Sequence, residues 1–520
     1  MLHYLINTSY KLLNSKRHNS FRDNSNQLEH IQRHKLNSLL TSLQHQSISY
    51  EEFASTYPIT TYEDWKDKIE KQRNTGEHSI CPDVIRYQPT SGSSGKQKWI
   101  PYTKLLLDEF DHAASAWVYD MFLQYPNTMK GSHYWSLSWL PTEDRDKMEV
   151  IDDQELFSFW KKFALNKIFS VPKSVALLSS SHQTILATAT YIVSDKNLSL
   201  ISVWSPSFFT SIIEIIFKHK QDIVKTLSTG RWHPREMKQS ILKAPKNKKA
   251  ATLLNNLTKE NQTEIWQKLW PKLSLISCWD TALAQTPFKQ LKKIFPNTAF
   301  QGKGLWSTEA VVTIPYRNNF TLAYQSHFYE FKEVGTERVL PSWELKPNMR
   351  VMPILSTGSG LLRYIIEDVL IVDKLWDQIP CLTFQGRTGH MDLVGEKLDH
   401  TSIMSLIEKY NYLSNEYEII SLLACNYPDI EKPFYCLLVE SDKKQNQLHK
   451  FEEELLQFFH YRLAKDVGQL GSFKVYKHPK AKNLYLDLKE SEGMIRGNIK
   501  PEAITLISNI KGKELLNLTF

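Results

Sequence analysis

The sequence predicts an α/β protein with a large N-terminal domain of β-sheets flanked by helices and a smaller C-terminal α/β domain. Three observations lead to this prediction. Residues up to about 75 are polar and helical in pattern, and strand-type runs then alternate with amphipathic helices from Cys81 to Thr383. After Gly386 the same alternation restarts on a smaller scale. Such alternation is typical of buried sheets covered by helices.

The N-terminal region and the large domain contain these elements in order. The segment NQLEHIQRHKLNSLLTSLQ is an amphipathic helix in pattern. Ser205 and Pro206 predict a helix start after the strand LSLISVW, and Thr286 as N-cap predicts another at TPFKQLKKIF. Ser and Thr cap helices well, and proline suits the first turn. The strand-type runs are ATATYIVS, LSLISVW, EAVVTIPY, VMPILST and EDVLIVD.

The smaller unit begins with the helix TSIMSLIEKYNYL. The strands EIISLLACNY and KPFYCLLVES follow, and then a long helix around FEEELLQFFHYRLA and the strands SFKVYKH and NLYLDL. The glycines of Gly386-Arg387-Thr388-Gly389 give the backbone the freedom that a hinge needs. We therefore expect a domain of residues 1–385, a second of residues 386–520, and a hinge near 386–389.

Composition and charge exclude several classes of protein. The 520 residues are 41% hydrophobic, which excludes a disordered chain. The net charge of +8 is spread along the chain, and the basic cluster Lys243–Lys249 is typical of a solvated loop, so no nucleic-acid partner is expected. Five scattered cysteines fit neither a disulfide framework nor a zinc ribbon. Without a signal-peptide pattern or an uninterrupted apolar span, we expect a soluble, cytoplasmic monomer.

Glycine is scarce, yet nine of the 18 glycines fall in four short segments: 90–101, 301–309, 356–368 and 384–398. In a glycine-poor chain, glycine stands where the backbone must bend or approach a ligand closely. Hydroxyl, acidic or basic residues accompany every cluster. The four segments therefore predict one site built from four loops, against the alternative of four ordinary turns.

The first segment, TSGSSGKQKWIP, has the composition of an anion-binding loop. Gly92 and Gly95 alternate with serines, and Lys98 follows. Backbone N–H groups of such a loop cradle phosphate oxygens, while a lysine neutralises their charge. It is not a Walker A loop, because Thr90 begins it and Gln97 stands where Ser or Thr would follow Gly-Lys.

This segment resembles the phosphate loop of the adenylate-forming superfamily and, in detail, that of the Gretchen Hagen family of acyl-acid–amido synthetases. QGKGLWSTEA is similar to the family's second motif, and GLLRYIIEDV to its third. GRTGHMDLVGEKL resembles the hinge and the start of the C-terminal domain in bacterial members. The resemblance spans almost the whole chain and implies the adenylate-forming fold with a mobile C-terminal domain.

The resemblance also implies a two-step reaction that needs ATP and Mg²⁺. A carboxylic acid attacks the α-phosphate of ATP, which forms an acyl-adenylate and releases pyrophosphate. An amine, usually that of an amino acid, then displaces AMP and leaves an amide. Small carboxylic acids and amines are the partners implied. The protein's contribution is mainly positioning and charge neutralisation.

Residue roles follow from the matched motif positions. The resemblance assigns phosphate binding to the first loop, Mg²⁺ binding to Glu309 and ribose binding to Asp368. It gives Lys98, Glu309 and Lys500 catalytic roles, and Lys500 is similar to the superfamily's lysine that swings in for adenylation. The nucleotide-binding positions implied are Ser91, Ser93, Ser94, Gly95, Lys98, Ser307, Thr308, Asp368 and the hinge arginine Arg387.

Two positions depart from the family pattern. Leu305 stands where many relatives place an aromatic residue that stacks on adenine, and Trp306 is its neighbour. Glu367 replaces a glycine before Asp368, at a position where unusual backbone geometry is expected. Two further hypotheses therefore accompany the synthetase: transfer of the acyl group to a thiol such as coenzyme A, and a non-catalytic nucleotide-binding protein on the same fold.

Overall fold

The computed structural model describes most of the chain. The ranges are 2–77, 79–90, 98–136, 168–178, 180–237, 240, 242–281, 284–387 and, from 389 to 508, all residues except 392, 395, 397, 415, 428–429, 431, 443–446, 467–468, 493 and 495. Four helices form the N-terminal region, as the sequence predicts. The described α-helices are α1 Leu2–Asp23, α2 Leu28–Ser42, α3 Tyr50–Thr56, α4 Tyr62–Thr75, α5 Lys104–Gln124, α6 Ser181–Ser194, α7 Pro206–Lys218, α8 Lys220–Thr229, α9 Lys248–Asn255, α10 Gln262–Leu269, α11 Gln285–Ile294, α12 His400–Leu413, α13 Lys450–Leu455, α14 Phe459–Asp466 and α15 Ala481–Ser491.

The described strands form a hairpin, two larger sheets, and a C-terminal group. They are β1 Val84–Thr90, β2 Lys98–Thr103, β3 Ser132–Trp135, β4 Leu198–Ser202, β5 Leu275–Ser277, β6 Ala299–Gln301, β7 Thr313–Tyr316, β8 Asn319–Leu322, β9 Phe328–Glu333, β10 Val339–Pro341, β11 Arg350–Ser356, β12 Tyr364–Ile365, β13 Asp368–Trp376, β14 Ile379–Arg387, β15 His390–Met391, β16 Leu398–Asp399, β17 Glu418–Cys425, β18 Phe434–Glu440, β19 Lys474–His478 and β20 Ile504–Ile507.

A four-stranded parallel sheet has the order β3-β4-β5-β6. Helices α6 to α11 pack on one face of it in a core of their own. On the other face, Leu200 and Leu275 join a second core that includes α5 and the eight-stranded antiparallel sheet. That sheet has the order β10-β9-β11-β13-β14-β8-β7, with β12 paired to β11. Helix α5 therefore lies between the two sheets, where it can carry side chains toward both.

The C-terminal residues form a separate four-stranded sheet in the order β19-β18-β17-β20. Strands β17 and β18 are antiparallel, whereas β20 and β19 pair in parallel with their neighbours. Two hydrophobic clusters lie on its two faces, one around Ile407 and Phe451 and the other around Tyr485. The domain boundary at 385/386 remains a prediction. Strand β14 runs through this point to Arg387.

The run ATATYIVS is not a strand, and the prediction from its β-branched residues is wrong. It forms the second half of α6, which begins after Ser180, whose hydroxyl accepts the Gln183 N–H. Three threonines are buried in this helix, and Thr190 donates its hydroxyl to the Leu186 carbonyl at 2.8 Å. Because that bond satisfies a buried hydroxyl within the helix, packing outweighs the weak helix propensity of threonine.

Two C-terminal predictions are corrected as well, and one strand was not predicted. NLYLDL belongs to helix α15, because Ala481, Tyr485 and Leu488 recur at helical spacing and are buried. The single long helix around FEEELLQFFHYRLA is two short helices, α13 and α14. Strand β20 had no counterpart in the prediction, although it pairs with β17 through Leu422 and Ile504.

The start of α11 differs from the prediction by two residues. Ala284 is its N-cap and Gln285 its first residue, so Thr286 lies inside the first turn. Pro287 is also in that turn, where its missing N–H would have had no helical partner. The strand LSLISVW and the helix that begins at Pro206 are confirmed. In the part of the chain that the structure describes, no helix has the length and apolar character required to span a bilayer.

Candidate active site

The first glycine-rich segment connects the two strands of an antiparallel hairpin. Thr90 ends β1 and pairs with Lys98, which begins β2. The predicted phosphate-binding residues Ser91, Ser93, Ser94 and Gly95 lie outside the described residues. Lys98 is half-buried, and its Nζ lies 5.5 Å from the ring centroid of Tyr62 on α4. The hairpin therefore fixes both ends of the predicted loop and places a cation at its exit.

The second segment forms a tight turn that presents Glu309. The Ser307 N–H donates to the Ala310 carbonyl at 2.9 Å, and Trp306 pairs with Val311. Gly304 has φ +73°, and a Cβ there would lie 2.6 Å from the Thr313 carbonyl oxygen, so only glycine fits. Glu309 is half-buried at the tip of this turn. The strand predicted from EAVVTIPY begins only at Thr313, since the preceding residues complete the turn.

A hydrogen bond joins the first segment to the second. The Tyr102 hydroxyl on β2 donates to the Thr308 carbonyl at 2.9 Å. Burial raises the pKa of Tyr102, and the negative charge of Glu309 also raises it, whereas Arg86 lowers it. Glu309 directly follows Thr308, so the same hydrogen bond fixes the backbone beside it. The hairpin with Lys98 and the turn with Glu309 thus form one unit.

The third segment packs against the helix that follows the hairpin. Thr103 is the N-cap of α5: its hydroxyl accepts the Leu106 N–H at 3.0 Å and donates to the Gly358 carbonyl at 2.7 Å. A Cβ on Gly358 would lie 2.7 Å from the Leu106 backbone nitrogen, so a larger residue would push the loop away. The 356–360 loop is therefore positioned by the same chain that positions Lys98.

The predicted ribose-binding residues are partners in the antiparallel sheet. Asp368, which is 3% exposed, begins β13 and stands opposite Arg387, the last residue of β14. The backbone of Arg387 is described, whereas its side chain lies outside the described atoms. The resemblance assigns both Asp368 and Arg387 to nucleotide binding. In the structure the two residues are paired at one end of the sheet.

A buried polar network, which the sequence analysis missed, links the second and third segments. His327 Nε2 accepts the Val311 N–H at 3.1 Å, and its Nδ1 lies 2.9 Å from Glu109 Oε2. The same carboxylate oxygen accepts the Gly358 N–H at 2.9 Å, and Lys35 Nζ lies 3.4 Å from the other oxygen. Glu109 on α5 therefore joins both loops to the N-terminal helices.

The network has a defined protonation state. Because His327 Nε2 accepts a hydrogen bond, the ring proton resides on Nδ1, which donates to Glu109. Burial opposes ionisation of Glu109, but Lys35, His327 and the Gly358 N–H together hold its pKa below the ordinary value. A buried carboxylate with these partners keeps its charge at neutral pH. Nothing in the spacing of Glu109 and His327, 218 residues apart, signals this contact in a single sequence.

A second buried pair holds the end of the third segment. Arg363 has φ +49° and donates from Nε and Nη2 to both Glu330 oxygens at 2.9 Å. Its Nη1 donates to the carbonyl groups of Ala54 and Tyr57. A bidentate arginine pair with satisfied remaining donors fixes geometry as well as charge. Arg363 therefore anchors the segment that leads to Asp368 against helix α3 and strand β9.

Lys500 lies against both sheets of the large region. Its Nζ is 4.4 Å from the ring centroid of Trp279, which follows β5, and 5.8 Å from that of Phe384 on β14. Phe384 is three residues before Arg387. The structure thus brings the C-terminal lysine to the end of β14 where Arg387 and Asp368 pair. Lys500 and the Asp368–Arg387 pair thus lie at the same strand, β14, while the Tyr102–Thr308 hydrogen bond joins the strand of Lys98 to the turn of Glu309.

An unpredicted lysine is buried at the carboxyl edge of the parallel sheet. Lys303, 1% exposed, follows β6, and its Nζ donates to the Ser202 hydroxyl at 2.7 Å. The ring centroids of Trp117, Trp135 and Trp204 lie 4.5 to 5.5 Å from this Nζ. Ligands of open α/β sheets bind outside this edge. The second motif, QGKGLW, contains Lys303 and could have drawn attention to it. Its aromatic surroundings could not be predicted, because the three tryptophans come from separate segments of the chain.

A titratable carboxyl group stands next to the Lys500 contact. Asp280 follows Trp279, and its oxygens lie 2.5 and 2.6 Å from the position of a Cβ on Gly302. Burial raises the pKa of Asp280 to about 6. A carboxylate with this pKa can accept a proton at neutral pH more readily than an exposed aspartate.

The two departures from the family pattern have structural consequences. Leu305 and Trp306 are both buried in the core, 2% and 6% exposed, so Trp306 serves packing with Phe110, Trp117 and Trp204. Glu367 is exposed, and its φ angle is not positive. The expectation of unusual backbone geometry at Glu367 is therefore wrong, because the chain uses an ordinary conformation there.

Family models match most of the region that carries this site. The GH3 family N-terminal domain matches residues 17–300, and the GH3 family central domain matches residues 320–387. The chain belongs to the GH3 family. The predicted family membership is thereby confirmed.

Individual GH3 proteins are similar at low identity. The indole-3-acetic acid-amido synthetase GH3.15 of Arabidopsis thaliana is 22% identical over 384 residues, which are 65% of this chain and 63% of that protein. The aligned part is thus less than two thirds of that relative's length. The indole-3-acetic acid-amido synthetase GH3.2 of the same plant is 22% identical over 411 residues, 70% of this chain and 73% of that protein.

A solved structure confirms the fold. The acyl acid amido synthetase AtGH3.15, in complex with 2,4-DB, superposes with a TM-score of 0.77 at 19% identity. The match covers 95% of this chain and 94% of that one. The mixed α/β architecture with its C-terminal α/β unit is thus that of a GH3 protein.

Proposed function

We propose that this GH3 protein is an ATP-dependent acyl-acid amido synthetase, which forms an acyl-adenylate and transfers the acyl group to an amine. The observation that carries the proposal is the contact of Lys500 with Trp279 and Phe384. The contact holds a cation from the far end of the chain against β14, three residues before Arg387, the strand partner of Asp368. Adenylation develops negative charge on pyrophosphate, and preorganised cations stabilise such charge.

The residues of the site divide the work of the first step. Lys98 and Lys500 neutralise phosphate charge, and the first loop, Ser91 to Gly95, supplies backbone N–H groups. Asp368 accepts hydrogen bonds from the ribose hydroxyls, with Arg387 beside it. Ser307 and Thr308 shape the turn that holds Glu309. This division follows the motif positions and is supported by two observations: Lys500 contacts the strand that ends at Arg387, and Tyr102 joins the strand of Lys98 to the Glu309 turn.

Glu309 fits a magnesium ligand. It is a half-buried carboxylate at the tip of a turn fixed by Tyr102, and oxygen ligands suit this hard cation. Mg²⁺, when bound, neutralises charge on the ATP phosphates. The substrates we propose are a small carboxylic acid and an amine, with an amino acid as the first amine to test. A cytoplasmic location and a monomeric state remain predictions from the sequence.

Exchange of labelled pyrophosphate into ATP tests the proposal directly. With Mg²⁺ and a panel of carboxylic acids, beginning with indole-3-acetic acid because the relatives' names state it, we expect acid-dependent exchange. Replacing Lys98 or Glu309 by Ala should lower the exchange rate about 10²-fold or more. Lys104→Ala and Glu337→Ala, at exposed positions, are matched controls that should retain it.

The acceptor is identified in the same assay by offering amino acids or coenzyme A and recording the product. Amide formation supports the synthetase, whereas a thioester would assign the chain to coenzyme A ligation. ATP binding without exchange on any acid of the panel would favour a non-catalytic nucleotide-binding protein. Full exchange in Lys98→Ala or Glu309→Ala would remove that residue from the site.

A further inference from the structure

Two histidines and a glutamate meet on the helical layer that covers the parallel sheet. His182 is the second residue of α6, His219 lies between α7 and α8, and Glu236 is in the 3₁₀ helix Arg235–Met237. One donor atom from each lies within 4.8 Å of the others. None of the three residues belongs to the four motifs, so the proposed synthetase activity does not use them.

The backbone of each residue is fixed by its own contacts. The Gln183 side chain donates to the Glu236 carbonyl at 2.7 Å, which attaches the 3₁₀ helix to α6. Met237, next to Glu236, is fully buried. The His219 N–H donates to the Ile215 carbonyl at 2.9 Å, and its carbonyl accepts the Ile223 N–H at 3.0 Å. Three separate elements therefore hold the cluster together.

The donor atoms have the chemistry of metal ligands. His219 Nε2 is buried and has no hydrogen-bond partner among the described residues, which is costly for a polar atom. His182 Nδ1 lies 3.1 Å from Glu236 Oε1, and the two histidine ring centroids are 5.4 Å apart. Burial lowers the pKa of His219, and the neighbouring His182 lowers it further. Neutral imidazole is the form that binds metals.

The spacing is close to that of a tetrahedral site. Zn–N and Zn–O bonds of about 2.0–2.2 Å place tetrahedral ligands about 3.3–3.6 Å apart. The His182 Nδ1–Glu236 Oε1 distance of 3.1 Å is slightly shorter than this spacing, and a donor atom of His219 lies within 4.8 Å of both groups. The side chains of His182 and Glu236 are 44% and 39% exposed, so they have room to rotate and leave an entry path from solvent.

We propose that His182, His219 and Glu236 bind a divalent first-row transition metal ion, with solvent in the remaining position. Two histidines and a carboxylate are ligands that such ions accept. The ion satisfies the buried His219 nitrogen and joins α6, the α7–α8 junction and the 3₁₀ helix.

Zn²⁺ binding to the full chain without a histidine tag tests this site. Competition with a chromophoric chelator should give one tight equivalent, and Co²⁺ in its place should give the intense visible bands of tetrahedral coordination. His219→Ala and Glu236→Gln should each weaken the tight equivalent at least about tenfold, since losing a ligand costs no less than losing its supporting contact. His34→Ala, at an exposed histidine on α2, is the matched control and should bind as the unmodified chain does.

Two results would overturn the proposal. The first is an unmodified chain that takes up no more Zn²⁺ than His219→Ala. The second is uptake that all variants share, which assigns the ion to other surface histidines. Glu236→Gln keeps the side-chain size at a half-exposed position, so it separates loss of a ligand from loss of folding. A melting temperature that Zn²⁺ raises in the unmodified chain and not in Glu236→Gln supports the site.

Discussion

Two parts of the candidate site are held in place in different ways: one by the buried network around Glu109, the other by the contact of Lys500 with two aromatic rings. Glu109 is fully buried and joins four segments through His327, Gly358 and Lys35. Lys500 is half-buried and lies against the faces of two aromatic rings. The first arrangement depends on directed, charged hydrogen bonds at defined distances. The second depends on a cation above ring faces, which tolerates sliding.

The energies of the two arrangements differ accordingly. Breaking a buried charged pair typically costs about 3–5 kcal/mol, because a charge remains without its partner. A cation–π contact at a partly exposed site contributes about 0.5–1 kcal/mol. The frame that positions Glu309 and the 356–360 loop is therefore expected to persist through the reaction. The Lys500 contact can break and re-form within one catalytic cycle, as an alternating C-terminal domain requires.

The largest expected effect is the loss of Glu109. Glu109→Ala should lower the free energy of unfolding by about 3–5 kcal/mol, because Lys35 and the His327 and Gly358 donors lose their common acceptor. It should also raise the KM for ATP, since the second and third segments lose the carboxylate that links them. Urea denaturation followed by tryptophan fluorescence measures the first quantity, and pyrophosphate exchange the second.

The neighbouring residue provides a control for this prediction. Asp108 is on the same helix, is 54% exposed and pairs with Arg17 on the surface. Asp108→Ala should change stability by no more than about 1 kcal/mol, as is usual for exposed ion pairs. A cost for Glu109→Ala no larger than that of Asp108→Ala would show that the buried network does not organise the frame.

Lys500→Ala has the next largest expected effect, and it should be selective. Adenylation should fall about 10²-fold, because one preorganised positive charge near the departing pyrophosphate is lost. Amide formation from a supplied synthetic acyl-adenylate should stay within a few-fold of normal, since no such charge develops there. Stability should change by about 1 kcal/mol or less. Separate assays of the two half-reactions measure the difference.

Lys480→Ala, at an exposed lysine of the same C-terminal region, is the matched control for Lys500→Ala. It should leave both half-reactions unchanged. Equal losses of both half-reactions in Lys500→Ala would mean that the lysine is structural, or that the proposed domain of residues 386–520 does not alternate about the predicted hinge. In either case the comparison between a fixed frame and an exchangeable contact would fail.

The sequence predicted the family and the α/β class, because the four motifs and their order are local patterns. Local patterns also predicted the helix at Pro206 and the strand at Asp368. They failed where tertiary packing overrides propensity, as in ATATYIVS, or where period-two and helical spacing coincide, as in NLYLDL. Helix ends such as that at Ala284 depend on contacts that a single sequence does not reveal.

The supporting residues of the site could not be predicted for a different reason. Glu109 and His327 are single ionisable residues in segments that contain none of the four motifs. Lys303 lies within the second motif, but the motif assigns it no role. Their importance comes from burial and from partners on other elements, such as the 101 residues that separate Lys303 from Ser202. A single sequence does not show which distant residues will be neighbours in the folded protein.

The smallest expected effect belongs to the bond between the hairpin and the Glu309 turn. Tyr102→Phe removes the hydroxyl that donates to the Thr308 carbonyl, and should cost about 0.5–1.5 kcal/mol of stability. Tyr324→Phe is the control, because Tyr324 donates to the Phe21 carbonyl far from the motifs. The two variants should lose similar stability in urea denaturation, but only Tyr102→Phe should raise the KM for MgATP, by a few-fold, because its loss lets the turn drift from Lys98. If both variants have the KM of the unmodified chain, the frame tolerates the loss of this bond, and Glu109 alone sets the position of the second segment.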